Sequence, residues 1–173
     1  MSWAVEALAV EPDDRVLEIG CGPGVAVSLI AEQLDGGTIT AIDRSSVAVE
    51  RACWRNAAHL ESGKATISRT ALEEVEPSGA RYDKVFAVNV NVFWIRDVGP
   101  ELELIRRLLA PEGSLFLFWG GTAGETKGGA VADTVAAALT AHGFSATQLT
   151  PPAADSPLLG FVARPLTARA GSP

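Results

Sequence analysis

The chain has few cysteines, few histidines and few basic residues, and each shortage excludes a class of protein. Its 173 residues include 2 cysteines and 2 histidines, which supply neither a disulfide framework nor the ligand spacing of a metal site. We therefore expect reduced thiols and no bound metal. Lysine and arginine number 14 against 21 acidic residues, a formal net charge of −7, which works against a long phosphate-binding surface. No nucleic-acid partner is expected, and a small-molecule partner is favoured.

A long hydrophobic run is also absent. No apolar stretch approaches the ~20 residues that span a bilayer, and the N-terminus lacks the basic start of a secretory signal. We therefore expect a cytoplasmic protein without membrane association. A hydrophobic content of 47% in 173 residues is enough for one well-buried core and short for two domains. The prediction is a single domain over residues 1–165, followed by a disordered tail over 166–173.

The sequence does contain an alternation of short β-rich runs and amphipathic helical stretches. Near-continuous apolar character in several runs predicts central strands of a parallel sheet covered by helices, which is a doubly wound α/β fold. A later helix is predicted over 130–141, with Gly143 as its left-handed cap. After Gly143, two runs are joined by a segment too short for a crossover helix, so they should pair antiparallel. The predicted strands are 16–19, 38–43, 65–69, 82–90, 114–119, 144–150 and 158–164.

The first strand runs into a glycine-rich turn, V-L-E-I-G-C-G-P-G at 16–24. In an open parallel sheet, ligands bind beyond the carboxyl ends of the strands, where this turn lies. Glycines at 20, 22 and 24 remove side chains that would hold a ligand away, and the next helix should offer free N–H groups to a negatively charged part of it. A dinucleotide fingerprint fails because Val25 occupies its last glycine position, and the Gly-Lys-Ser/Thr of a phosphate loop is absent.

Asp43 ends the second predicted strand and sharpens the choice of ligand. A carboxylate at that sheet edge can accept hydrogen bonds from both hydroxyls of a ribose, so an acid there selects a nucleoside. Alternatively, Asp43 is a turn or helix-cap residue before Ser45 and Ser46. In combination with the glycine turn, the ribose interpretation is favoured.

Four stretches occur in one order: V-L-E-I-G-C-G-P-G, A-I-D-R-S, D-K-V-F-A-V-N-V and L-L-A-P-E-G-S-L-F-L-F. In these motifs and their order, the chain closely resembles the class I S-adenosylmethionine-dependent methyltransferases over about 12–164, as a small, minimal-domain member. The resemblance implies a Rossmann-like, mostly parallel seven-stranded sheet with an antiparallel C-terminal hairpin, whose last strand lies between the fifth and sixth. It also implies S-adenosyl-L-methionine as the cofactor.

The resemblance further implies roles for residues at the matching positions. Glu18 would help to orient the amino end of the cofactor, Asp43 would hold the ribose, and Arg44 would lie beside the adenine. The remaining cofactor-binding candidates are Gly20, Cys21 and Gly22 along the methionyl part, Thr70, Ala71 and Leu72 around the adenine, and Asn89, Val90 and Asn91 near the transferred methyl group.

The acceptor site is harder to assign, because a methyl group on a cationic sulfur needs chiefly a positioned nucleophile and the exclusion of water. A base is needed only if the acceptor loses a proton. His59 and His142 are predicted at helix ends away from the site, so the catalytic group is unassigned, with Asn91 and Asp97 as candidates. The candidates for the substrate pocket are Phe93, Trp94, Trp119 and Lys127. Packing under the next helix is the alternative for Phe93 and Trp94, and the loop at 120–129 is either a lid or an ordinary connection.

Several functions therefore stay open. The favoured hypothesis is methyl transfer to a small molecule. The alternatives are methylation of RNA or protein, a nonenzymatic module that binds the same cofactor, and a nicotinamide-dependent oxidoreductase. The short segment before the first strand supplies little to an acceptor site, which is then either open or completed by a second subunit, so a homo-oligomer is among the expectations.

Overall fold

The computed structural model describes residues 1–77, 79, 81–95, 97–120, 128–151 and 158–166, and at 128–130 only the backbone. The strands are β1 (Arg15–Ile19), β2 (Thr38–Asp43), β3 (Ala65–Arg69), β4 (Tyr82–Val88), β5 (Leu109–Gly120), β6 (Phe144–Leu149) and β7 (Leu158–Pro165). The helices are α1 (Ser2–Leu8), α2 (Val25–Ala31), α3 (Ser46–Arg55), α4 (Ala57–Glu61), α5 (Val92–Ile95), α6 (Gly99–Leu108) and α7 (Gly128–Ala141), with a 3-10 turn at Leu72–Glu74.

The strands form one seven-stranded sheet in the order β3-β2-β1-β4-β5-β7-β6. β1 to β5 are parallel, whereas β7 pairs antiparallel with both β5 and β6. The predicted doubly wound sheet and the insertion of the last strand between β5 and β6 are therefore confirmed. The chain runs outward from β1 to β3 and then returns to the other side of β1 with β4, so the crevice for a ligand lies above β1.

Alternate residues of the central strands face two hydrophobic layers. Leu17, Val85 and Leu115 lie in the layer under α6 and α7, which also contains Phe93 and Trp119. Phe86 and Phe116 lie in the opposite layer, which α1 and α2 cover. Two buried faces explain why β1 and β4 have nearly continuous apolar sequences.

Some boundaries differ from those predicted. β5 begins at Leu109 instead of residue 114, because the chain leaves α6 already extended and Leu109 pairs with Tyr82 before a register shift. α7 begins at Gly128. The left-handed Gly143 is confirmed, with φ of +73°. The predicted tail at 166–173 lies outside the described residues apart from Leu166.

In the described part of the chain, no helix combines the length and the apolar character that a bilayer crossing needs. The longest of these helices, α7, has 14 residues.

Candidate functional site

A cavity of about 380 Å³ lies at the carboxyl ends of β1, β2, β3 and β4. These strand ends meet at one edge of the sheet because the four strands are parallel. The described residues that line the cavity are Ile19, Gly20, Ile42, Asp43, Arg44, Thr70, Ala71, Leu72, Glu73, Val88, Asn89, Val90, Asn91, Val92, Ile95 and Glu101. Nine of the twelve predicted cofactor-binding residues are among them, and Glu18, Cys21 and Gly22 are not.

Asp43 connects the end of β2 to the glycine turn. One carboxylate oxygen accepts a hydrogen bond from the Gly22 N–H at 2.9 Å, and the other accepts one from the Ser45 N–H at 2.8 Å. The prediction of a turn residue therefore describes part of its role, because Asp43 fixes two loops. Each carboxylate oxygen retains a second lone pair, so the group can still accept bonds from a diol in the cavity.

The three glycines of the turn have different neighbours. A side chain at Gly20 would meet the Val90 side chain at 2.6 Å, and one at Gly24 would meet the backbone of Ala52 at 2.9 Å. Gly24 therefore permits α2 to pack against α3, which corrects its predicted role in ligand approach. A side chain at Gly22 would meet no atom within 4 Å. Gly22 alone of the three faces open space, and its φ is +52°.

The backbone N–H groups of the turn are engaged within the protein. Those of Gly20 and Cys21 both donate to the Ile42 carbonyl, at 2.8 and 3.0 Å, and that of Gly24 donates to the Cys21 carbonyl at 2.9 Å. With Gly22 bonded to Asp43, the turn has no array of free donors for a pyrophosphate. The free N–H groups predicted for a negatively charged part of the ligand belong to the start of α2, and that offer stays a prediction. The turn itself gives a pyrophosphate no such donors, so a dinucleotide is disfavoured.

Glu18 lies in β1, directly before the turn, and is 2% exposed. In the described part of the chain its Oε2 atom has no hydrogen-bond partner. Burial, with a smaller contribution from the negative charge of Asp43, raises the pKa of Glu18 to about 8. A buried carboxyl group with an unused oxygen is costly, and a cationic group placed beside it would reduce that cost.

Cys21 is buried between two glycines, as predicted, with 4% exposure. Burial first, and then the neighbouring Glu18 and Asp43 carboxyl groups, raises the pKa of its thiol to about 12. The thiolate is therefore scarce at neutral pH, which disfavours Cys21 as a nucleophile.

The segment after β3 lines the cavity on its outer side. Its polar groups are engaged: the Thr70 N–H donates to the Asp43 carbonyl at 3.1 Å, and the Ala71 N–H donates to the Glu74 carboxylate at 2.9 Å. The Thr70 and Ser68 hydroxyls form a hydrogen bond of 3.0 Å. Leu72 is buried beneath this segment. The segment therefore offers an ordered wall of low polarity.

The segment after β4 is fixed by Asn89. Its backbone is left-handed, with φ of +57°, and its side-chain oxygen accepts a hydrogen bond from the Gly120 N–H at 2.9 Å. The strained residue thus joins the ends of β4 and β5. It also directs Val90 over Gly20 and brings Asn91 to the cavity wall.

The predictions for the acceptor pocket need correction. Phe93 is 1% exposed and Trp119 is 4% exposed, because both pack in the core under α6 and α7. Trp119 stacks on Phe161 at 5.6 Å between ring centroids, and Trp94 leans on Trp119. None of these three aromatic residues is among the described lining of the cavity. Lys127 lies outside the described residues.

Asp97 is not placed to act as a base. Its carboxylate accepts a hydrogen bond from the Gly99 N–H at the start of α6 and lies 3.7 Å from His142 Nε2. It is absent from the described cavity lining, and its observed contact is that of a turn residue that leads into α6.

Two polar residues at the site were not predicted. Glu101 lines the cavity and is 5% exposed. Asn56 is fully buried and donates from its amide to the Gly24 carbonyl at 3.0 Å, which fixes the turn to α3. The sequence signal for Glu101 is its position on the apolar face of α6, in the row of Val98, Ile105 and Leu108.

Comparison with known proteins agrees with this geometry. The methyltransferase domain family matches the chain over residues 16–113, which is more than half of its length. This chain belongs to that family, as a class I S-adenosylmethionine-dependent methyltransferase fold.

Individual relatives of this methyltransferase domain are distant. Trans-aconitate 2-methyltransferase from Delftia acidovorans is 35% identical over 104 residues, which are 58% of this chain and 36% of that protein. The chain thus spans about a third of the length of that relative. A SAM-dependent methyltransferase from Aquifex aeolicus has a TM-score of 0.74 at 16% identity, with 92% of this chain and 86% of that one covered. The [4+2]-cyclase SpnF has a TM-score of 0.75 at 17% identity, with 96% and 80% covered.

The residues of the site fit the cofactor of the family. S-adenosylmethionine carries a ribose, a purine, two cationic groups and one carboxylate, and it lacks phosphate. The site has a carboxylate at the end of β2, a wall of low polarity after β3 and a buried acid under the turn. The open space at Gly22 allows close approach to the backbone.

Proposed function

We propose that this domain transfers a methyl group from S-adenosylmethionine to a small-molecule acceptor. The observation that supports this most is the junction of Asp43 with Gly22, which sets a ribose-binding carboxylate beside a turn that is open to a ligand and has no free anion-binding N–H array. That combination favours a cationic nucleoside over a dinucleotide.

In this proposal the protein promotes methyl transfer mainly by holding the cofactor and the acceptor in the right positions. Asp43 accepts the ribose hydroxyls, and the Thr70–Leu72 segment encloses the purine. Gly22 lets the methionyl part pass close to the backbone, and the buried Glu18 gives up its proton as it pairs with the cationic amino group. The cofactor supplies an activated methyl group when bound. Asn89, Val90 and Asn91 line the far end of the cavity, where they orient the acceptor and exclude water.

A small acceptor is supported by the charge of the chain and by the cavity. The net charge is −7, which opposes a phosphate-rich acceptor such as RNA. Val92 and Ile95 add an apolar side to the cavity beside the amide of Asn91, which suits a small molecule with an apolar part. The Delftia relative carries the name of an enzyme that methylates trans-aconitate, and we include that compound among the acceptors to be tested.

Calorimetric titration with S-adenosylhomocysteine tests the cofactor site. We expect Asp43→Asn to weaken binding by about tenfold or more, because the ribose loses a charged acceptor. Asp35→Asn is the matched control: it removes the same charge from an exposed residue before the other end of β2, and its affinity should equal that of the unmodified chain. Equal affinities for all three proteins would contradict the ribose assignment.

Turnover separates transfer from binding alone. A coupled assay that detects release of S-adenosylhomocysteine should respond to at least one small acceptor, and the response should fall with Asp43→Asn. Cofactor binding without release across carboxylic acids, amines, phenols and thiols would instead favour a nonenzymatic binding module. A response confined to RNA or protein would overturn the small-molecule acceptor.

A further inference from the structure

Glu101 is a buried acid in the wall of the cavity. It lies in the first turn of α6 and is 5% exposed, although glutamate is seldom this buried without a specific role. The rest of the inner face of α6 is apolar, with Leu102 and Ile105 in the core. An acid in that row is costly for folding, which suggests a role in binding.

The position of α6 indicates which part of a ligand Glu101 meets. α6 packs against the 3-10 turn at Leu72–Glu74, and Leu72 shares one hydrophobic cluster with Leu102. Glu101 and the Thr70–Leu72 segment therefore line the same cavity from adjoining elements. With a ribose at Asp43 and the methionyl part at the glycine turn over β1, the base extends in the other direction, toward β3 and this segment.

The β3 segment offers few free donors to the edge of a base, and the acceptor that follows it in the cavity wall, Glu73, is exposed to solvent, whereas Glu101 is buried. The N–H groups of Thr70 and Ala71 and the hydroxyl of Thr70 are already bonded within the protein. A glutamate has two oxygens with two lone pairs each, so Glu101 can serve a protein partner and a ligand together. Adenine presents a hydrogen-bond donor, its 6-amino group, that such a carboxyl group can accept.

We propose that Glu101 on α6 recognises the 6-amino group of the cofactor's adenine and so selects the base. This inference rests on the proposed function, since it takes the ligand of the cavity to be S-adenosylmethionine. It assigns base selection to α6, whereas the sequence suggests no cofactor-binding residue beyond Asn91.

The test compares two ligands and three proteins by calorimetry. The ligands are S-adenosylhomocysteine and an analogue in which unsubstituted purine replaces adenine. The analogue lacks only the 6-amino group. The proteins are the unmodified chain, Glu101→Ala and, as control, Glu103→Ala. Glu103 lies on the same helix, but its side chain is 64% exposed and faces Arg106 at 3.4 Å. Thermal denaturation checks that each variant is folded.

We expect the unmodified chain and Glu103→Ala to bind S-adenosylhomocysteine about tenfold or more tightly than the purine analogue. Glu101→Ala should bind the two ligands with nearly equal affinity, because it lacks the group that distinguishes them. Glu101→Gln retains an acceptor oxygen and should recover part of the preference.

An unchanged preference for adenine in Glu101→Ala would overturn the inference and leave the proposed function intact. If that variant also had a raised KM for the acceptor, Glu101 would belong to the acceptor side. Absence of any S-adenosylhomocysteine binding to the unmodified chain would contradict the proposed function itself.

Discussion

At the scale of the residue, Glu18 shows most clearly that a group at the site can lower the stability of the folded state. Burial is the main cause that raises its pKa from 4.5 to about 8, and the Asp43 charge adds to it. In the unfolded chain the group ionises near its ordinary pKa, whereas in the folded chain it keeps its proton up to about pH 8. Between those values the folded state binds more protons, so the contribution of Glu18 to stability decreases as the pH rises.

Glu18→Gln should remove this dependence, because glutamine has the same size and no charge to bury. The free energy of unfolding of the variant, relative to that of the unmodified chain, should rise with pH by at most about 1.4 kcal/mol per unit between pH 5 and 8. Urea denaturation at pH 5, 6.5 and 8 measures this difference. A difference that does not change with pH would show that Glu18 titrates normally in the folded chain.

The roles of residues with one chemical function were predictable from the sequence, whereas the roles of residues that depend on tertiary packing were not. Asp43 and the left-handed Gly143 follow from strand ends and cap rules. Phe93 follows the polar end of β4 and Trp119 ends the predicted fifth strand, so both resembled pocket walls, but their burial depends on α7 and β7, which are distant in sequence. Gly24 was assigned to the ligand, because nothing local reveals that Ala52 lies against it.

At the scale of the element, the glycine turn joins β1 to α2 and is the part most sensitive to substitution. Gly22 and Gly63 both have positive φ, of +52° and +76°, and both face open space. Gly63 lies between α4 and β3, at the amino ends of the strands, whereas the cavity lies at their carboxyl ends. The same substitution at these two glycines therefore separates the loss of stability caused by backbone strain from the loss of affinity for a ligand.

Gly22→Ala and Gly63→Ala should each lose a similar, small amount of stability, about 1 kcal/mol, because both place a side chain in the left-handed region. Only Gly22→Ala should lose affinity for S-adenosylhomocysteine, since its methyl group enters the space beside the backbone. Thermal denaturation and calorimetry measure the two effects. Equal affinities in the two variants would show that no ligand passes close to Gly22.

The elements themselves were predictable where the hydrophobic period is strong. All seven strands and the antiparallel hairpin were anticipated, since two-sided burial and a short connection leave few alternatives. The early start of β5 was not anticipated, because L-A-P-E-G is locally typical of a turn. It becomes part of a strand only because Leu109 pairs with Tyr82. The contribution of α6 to the cavity wall was not predicted for a similar reason. Which face of α6 lies inward depends on the 3-10 turn against which the helix packs.

At the scale of the whole molecule, the sheet establishes the fold, the match over residues 16–113 establishes the family, and the site has to establish the chemistry. The same fold is shared by a methyltransferase from Aquifex aeolicus and by a [4+2]-cyclase, at TM-scores of 0.74 and 0.75. The overall architecture therefore does not select between methyl transfer and another use of the cavity. That choice depends on the strand-end residues, chiefly Asp43, Glu18 and Gly22.

The most direct test of this account is a crystal structure of the chain with S-adenosylhomocysteine. We predict the ribose hydroxyls within hydrogen-bonding distance of the Asp43 carboxylate, the homocysteine part over Gly22 and the base between Leu72 and Glu101. A nucleoside bound in this cavity with its ribose away from Asp43, or bound elsewhere on the protein, would contradict the central claim.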